Sequence, residues 1–177
     1  MKRTCSLLIL LLIMAGITTA QNMVMKIDGV PGESLAAKFK DKTELLAFIL
    51  EGTSPQAIAT GGGMAAGKRS YKPVIILKQS GAASPVLFQN FYMGRMIKDV
   101  AIEFYKQDRT GVQTLDYVIT LRNVNISGFK QFSGSVKNEK FNVPGNTILY
   151  DEIEFSFREI VVDHKRSGVI VQDNLPR

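Results

Sequence analysis

Cysteine is almost missing from this chain of 177 residues. Cys5 is the only one. It stands ahead of the first apolar run, too early to be the lipid-bearing residue at a cleavage point. The rest of the chain therefore has no disulfide, no thiol nucleophile and no thiolate metal site. Histidine is equally scarce: His164 stands alone, and one imidazole cannot build the common zinc sites without other strong ligands close by. Long apolar runs are lacking as well. The run from Leu7 to Ile17, apolar apart from Gly16, is short against the ~20 residues a membrane span needs. No segment repeats, and no composition break marks a second domain. A large charge excess is absent too. The formal net charge is +6, part of it carried by Lys2 and Arg3. Of 22 basic residues, the other 20 face 16 acidic ones, about +4, which gives no argument for nucleic acid.

What is present begins with a leader pattern. Lys2 and Arg3 form a basic start, the apolar run follows, and Thr18-Thr19-Ala20 places small residues before Gln21. Residues 1–20 read as a secretory signal peptide cut near Gln21. Residues 21–177 read as one exported domain with no stable membrane span. Hydrophobic residues make up 45% of the chain, enough for a real core. An exported domain without disulfides relies on that core or on assembly with other chains.

Most of the domain alternates with the period of a strand. Asn22 to Ile27 predicts a first strand, with turn signals at Asp28-Gly29 and Pro31-Gly32. Glu44 to Leu50 is a dense apolar run that reads as one strand buried on both faces; its Leu, Ala and Glu content leaves a helix open. Gly52 to Arg69 is a long glycine-rich loop, and Tyr71 to Gln79 an extended segment. Ser84-Pro85 opens a short helix, with Ser84 as the expected cap and Pro85 at the first turn. Leu87 and Phe91 share one stripe, Phe88 and Tyr92 the next, and Gly94 supplies the left-handed stop. Val100, Ile102 and Phe104 alternate with Ala101, Glu103 and Tyr105. After a turn at Asp108 to Gly111, Leu115, Tyr117, Ile119 and Leu121 form a stripe whose parity switches at Val124 and Ile126, which predicts a bulge or a change of buried face. Ile153, Phe155 and Phe157 make another stripe, and the parity switches again at Ile160 and Val162. Gly168 to Val171 offers a last strand. The fold class expected is mainly β: an antiparallel barrel or sandwich with one short flanking α-helix.

The candidate chemistry is thin. Gly62 to Lys68 has the spacing of a phosphate-binding loop, but Arg69 replaces the hydroxyl that would meet magnesium, and an extended segment follows where a helix should begin. His164 lies in Asp163-His164-Lys165-Arg166, read as a solvated turn. Glu152 and Glu154 share a strand face next to Asp151. Paired carboxylates can hydrolyse glycosides only with a partner across a cleft, so this face reads as a solvent or subunit surface. No nucleophile, base and orienting group come together. Catalytic, cofactor and metal residues are therefore not assigned.

The order of these features resembles the Hcp family, the haemolysin-coregulated tube protein of bacterial type VI secretion. Lys26-Ile27-Asp28-Gly29-Val30-Pro31-Gly32-Glu33-Ser34 is similar to the family's first strand and turn. Gly61-Gly62-Gly63 with Gly67 resembles its glycine-rich extended loop. Ser84-Pro85-Val86-Leu87 resembles the start of its helix, Tyr117 to Val124 its long central strand, and Glu152 to Phe157 its late acidic and apolar strand. The resemblance implies a small β-barrel, six copies closing into a hexameric ring, and rings stacking into a tube. The tube carries small effectors and meets a spike protein. The residues expected to serve assembly are Gly61, Gly62, Gly63 and Gly67 in the loop, and Glu152 and Glu154 on the strand. The leader departs from the family, whose tube subunits leave the cell without one. Two other readings stand beside this one: an exported monomeric binding module that uses the glycine-rich loop, and a secreted hydrolase on the same scaffold.

Overall fold

The computed structural model describes residues 22–54, 70–108, 110–134, 136–137, 140–143 and 148–175. The leader at 1–20 and the loop glycines Gly61, Gly62, Gly63 and Gly67 lie outside them. The described strands are β1 (Asn22–Ile27), β2 (Thr43–Glu44), β3 (Ala47–Ile49), β4 (Gly52–Thr53), β5 (Ser70–Tyr71), β6 (Val74–Gln79), β7 (Ile97–Gln107), β8 (Gln113–Ser133), β9 (Val136–Lys137), β10 (Asn142–Val143), β11 (Leu149–Ser156), β12 (Glu159–His164) and β13 (Val169–Asn174). One helix, α1 (Ser84–Tyr92), packs on β8. The class is mainly β and antiparallel, as the alternation predicts.

The long strand β8 joins two sheets. Its first half lies between β7 and β12, in the order β2-β1-β7-β8-β12-β13. Its second half pairs β11, in the order β8-β11-β6-β3. The parity switch after Leu121 marks this handover. Arg122 and Asn123 are both exposed between buried Leu121 and Val124, and Asn123 takes a positive φ of 51°. Asparagine tolerates the left-handed region better than most residues, so the strand bends there without a break. The second switch falls at Phe157 and Arg158, between β11 and β12.

The main core fills the space between the sheets. Met25, Ile102, Ile119 and Leu121 come from the first sheet and Val74, Ile76, Ile153 and Phe155 from the second, all nearly or fully buried. Burying each such side chain contributes about 1.5–3 kcal/mol. Strand β6 is buried on both faces, because Ile75 and Leu77 pack with Phe141 and Tyr150 in a second cluster.

Two local expectations are corrected. The apolar run 45–50 is neither one strand nor a helix. Leu45 N–H donates to Met23 in the first sheet, while Leu46 N–H donates to Leu77 in the second. The run is the corner where the chain changes sheets, so Leu45 is buried and Leu46 is 57% exposed. Ser84 does not cap the helix with its side chain. It is the first helical residue, behind Ala83, and no side chain at the cap position bonds to the helix. Gly94 does end the helix, at φ +59°.

Candidate functional site

Two charged residues stand on core-facing stripes. Lys78 follows Val74 and Ile76 on the inner face of β6, and Asp151 precedes Ile153 and Phe155 on the inner face of β11. The strand register sets them opposite each other, and both side chains are fully buried. Lys78 Nζ lies 2.7 Å from Gln79 O, 3.0 Å from Ser84 Oγ, 3.2 Å from Asp151 Oδ2 and 2.7 Å from Glu33 Oε1. Asp151 also accepts hydrogen bonds from Ser84 Oγ, from Ser80 Oγ at 2.5 Å and from Gln131 Nε2 at 2.9 Å. Burial alone would raise its carboxyl. The hydrogen bonds of Ser80, Ser84 and Gln131, with the charge of Lys78, hold it below the usual carboxylate range.

This hub fixes the helix. Glu33 Oε2 accepts the Ala83 N–H at 3.1 Å, and Ser84 Oγ accepts the Gly81 N–H at 2.9 Å. A carboxylate at a helix N-terminus also meets the positive end of its dipole. The turn that delivers Glu33 needs Gly32, where a Cβ would fall 2.1 Å from Asp41 C. The hub is not a catalytic dyad, although serine and lysine touch in it. Four oxygens surround Lys78 Nζ, and the Ser84 hydroxyl donates to Asp151, so neither group is free to take a proton or attack. Among the described residues, no three His, Cys, Asp or Glu side chains gather as a metal site.

Glu152 and Glu154 do not form an open acidic face. Glu152 is only 7% exposed, on the side of β11 that carries the second cluster. Lys130 Nζ lies 3.8 Å from its Oε2 and Lys140 Nζ 3.7 Å from its Oε1. Lys140 also reaches Glu154, at 3.6 Å. The reason is the segment around Lys140 and Phe141, which covers this face. The second face of β7 is likewise covered in part: Tyr105 is buried against Phe39, and Glu103 pairs with Lys42 at 2.6 Å.

The open surfaces lie elsewhere. Among the described residues, strand β13 pairs only with β12, and Val169, Ile170 and Val171 are 56%, 63% and 58% exposed. Successive side chains point to opposite faces, so both faces of the strand are open at these three residues. Phe88, Tyr92, Met93 and Met96 make a second exposed apolar group, around the end of α1. A third feature is a bowl at the end of the sandwich, where Phe48, Phe104, Tyr117 and Ile119 meet a rim of Lys106, Asp116 and His164. His164 is thus the last residue of β12 and not part of a solvated turn. Its Nδ1 is 2.7 Å from Ser167 Oγ, and its ring is 6.0 Å from that of Tyr117.

Comparison with known proteins places this architecture. A model of the family described as "Type VI secretion system effector, Hcp" matches residues 24–164. The "Major exported protein" of Pseudomonas aeruginosa is 28% identical over 114 residues, 63% of this chain; the match spans 63% of that protein's length. Among solved structures, an Hcp protein crystal structure superposes with a TM-score of 0.74 at 16% identity, covering 89% of this chain and 99% of the other. The secreted protein Hcp3 from Pseudomonas aeruginosa gives 0.64 at 20% identity, covering 90% and 100%. A type VI secretion system effector from Yersinia pestis gives 0.63 at 24%, covering 86% and 99%. These structures share the fold, and since the family model runs from β1 to the end of β12, the chain belongs to the exported Hcp family of type VI secretion.

Proposed function

We propose that this chain is a non-enzymatic structural subunit that closes head to tail into rings by continuing its first sheet from one copy into the next. The observation that carries this reading is that, among the described residues, the first sheet ends in two unlike strands, of which β13 is open along its outer edge. The first sheet ends at β13 on one side and at β2 on the other. A free edge is a row of unpaired backbone groups that pairs readily with another strand. Joining β13 of one copy to β2 of the next is a contact between two different surfaces, and such contacts form rings when the rotation closes. Closure removes the open edge and covers Val169, Ile170 and Val171. The number six comes from the family resemblance. Stacking of rings through the loop containing Gly61, Gly62, Gly63 and Gly67, carriage of small effectors and contact with a spike protein belong to the same reading. So does a cleavable leader at 1–20, which would direct this copy across the membrane on its own.

Light scattering tests the ring. At concentrations on the order of tens of micromolar, the mature chain should have the mass of six subunits. Ile170→Lys should shift it to one subunit while its thermal unfolding stays in place. A wild-type chain that remains a monomer at those concentrations would put the binding-module reading ahead.

A further inference from the structure

We infer that the aromatic bowl at the end of the sandwich is a socket for a second copy of this chain, closed by the Leu45–Leu46 corner of the next subunit. The inference rests on the ring proposed above and names the side chains that meet beside the sheet edge. Strand register supplies the geometry. Leu45, just past β2, opens a row that runs through Met23, Phe104, Tyr117 and His164 to Val169. By alternation these side chains share the inner face with Met25, Ile102 and Ile119. Phe104, Tyr117 and His164 line the bowl, and Val169 lines it on the side of β13. In a ring that carries the sheet from β13 into β2 of the next copy, the row continues from Val169 to Leu45 of that copy. There the chain leaves its first sheet for its second, Leu45 N–H donating to Met23 and Leu46 N–H to Leu77. The corner therefore rises on the inner side, over Val169 and the mouth of the bowl.

Neither surface is finished within one subunit. Leu46 is 57% exposed and Val169 56%. Phe48, Phe104 and Tyr117 pack against the main core yet stay partly open, with rings 5.5 Å and 6.1 Å apart in succession. The bowl, about 730 Å³, has room for a turn of chain. Its mouth suits an uncharged occupant. Lys106 and Arg166 lie 2.5 Å and 2.9 Å from the Asp116 carboxylate. Asp108 also lies in the field of Arg166, and Lys165 engages Asp163 at 2.5 Å. Three cations thus face three carboxylates, and no net charge is left to draw a charged ligand. The entering corner brings none: Leu45, Leu46 and Ala47 are aliphatic, and Glu44 points by alternation to the other face of β2. An aromatic floor met by aliphatic side chains, with charges at the rim, is the composition of an interface centre.

Cysteine pairing tests the socket, because the only native cysteine, Cys5, lies in the leader. A mature chain carrying Leu46→Cys and Ser167→Cys places one thiol on the corner and one at the mouth. On mild oxidation it should give a ladder of linked subunits, up to six, on a non-reducing denaturing gel. Either substitution alone should give no ladder longer than two. Leu46→Ala should raise the concentration at which rings dissociate about tenfold, the scale of uncovering part of a leucine side chain. Its melting curve below that concentration should match that of the wild type, since Leu46 is exposed in the single subunit. A ring of six in light scattering without the ladder, or a Leu46→Ala ring that dissociates where the wild type does, would overturn the socket and leave the ring standing. A wild-type chain that stays a monomer would overturn both.

Discussion

The Lys78–Asp151 hub and the β13 edge invert the usual distribution of residues. The hub places a lysine and an aspartate where the core is fully buried, whereas β13 leaves three consecutive aliphatic side chains more than half exposed. Each exception has its own physics. Inside, charge is tolerated because the buried charged groups meet partners, and these come from four separate stretches of chain: the turn at Glu33, the β6-to-helix connection, Gln131 of β8 and β11. The hub therefore ties local pieces into one fold. Outside, aliphatic side chains are tolerated only if something covers them, and their open strand edge says in which direction. A polar group inside speaks of how the subunit holds itself together, and an apolar strand outside of how copies meet.

The comparison is broken most strongly at the hub. Lys78→Met leaves Asp151 buried beside a thioether. Urea unfolding should show a loss of about 3–5 kcal/mol, the usual result of removing one partner of a buried pair. Adding Asp151→Leu to Lys78→Met should recover much of that loss, since an apolar pair of similar volume is often neutral or better. The hub also sets an acid limit. The folded carboxyl of Asp151 lies below its unfolded value of 3.8. Its contribution to stability is therefore complete above pH 3.8 and is lost as pH falls through the lower folded value. The double variant should lose less stability than the wild type in that window. A Lys78→Met protein as stable as wild type would show that the hub does not hold the helix.

Glu152 lies between the two extremes, a buried carboxylate whose cations are exposed. Glu152→Lys sets a third cation beside Lys130 and Lys140, and the covering segment around Phe141 leaves it little room to turn away. Stability should fall by about 2–3 kcal/mol, below the loss at Lys78 because its cations remain in water. Assembly defects in this variant should then track unfolding. A fully stable Glu152→Lys chain that no longer assembles would return Glu152 to the interface and weaken the case for β13.

How much of this was legible before the structure depends on whether a residue's meaning is local. The limits of β1, the stop at Gly94 and the bend after Leu121 follow from period and turn chemistry, and all hold, whereas the helix begins beside its expected start without the Ser84 cap that predicted it. The hub was half legible. Asp151 extends the stripe of Ile153 and Phe155, and Lys78 that of Val74 and Ile76, so alternation already puts both charges on the core face. Only the register of β6 against β11, a contact across 73 residues, brings them together. His164 was readable in the same way, since it continues the parity of Ile160 and Val162 toward the bowl. Glu152 misled because alternation assigns it to the face away from the main core, and nothing periodic shows that the segment around Phe141 folds over that face. The end positions of β2 and β13 in the first sheet depend on strand order, which no local pattern contains.

The smallest expected effect separates apolar exposure from an open edge. Tyr92 is 81% exposed on α1, next to Phe88 and Met93. It resembles Ile170 in being large, apolar over most of its surface and uncovered. It differs in backbone, because the carbonyls of the last helical turn at Gln89, Asn90 and Phe91 already accept from Met93, Arg95 and Gly94, whereas β13 presents a free row of backbone groups along its outer edge. If exposure alone drives contact between copies, Tyr92→Ser and Ile170→Lys should weaken assembly alike. If the strand edge drives it, Tyr92→Ser should leave the mass in light scattering at six subunits. Its stability should also stay within about 0.5 kcal/mol of wild type, as for ordinary surface substitutions. A Tyr92→Ser chain that runs as a monomer would move the subunit contact from the sheet edge to the helix.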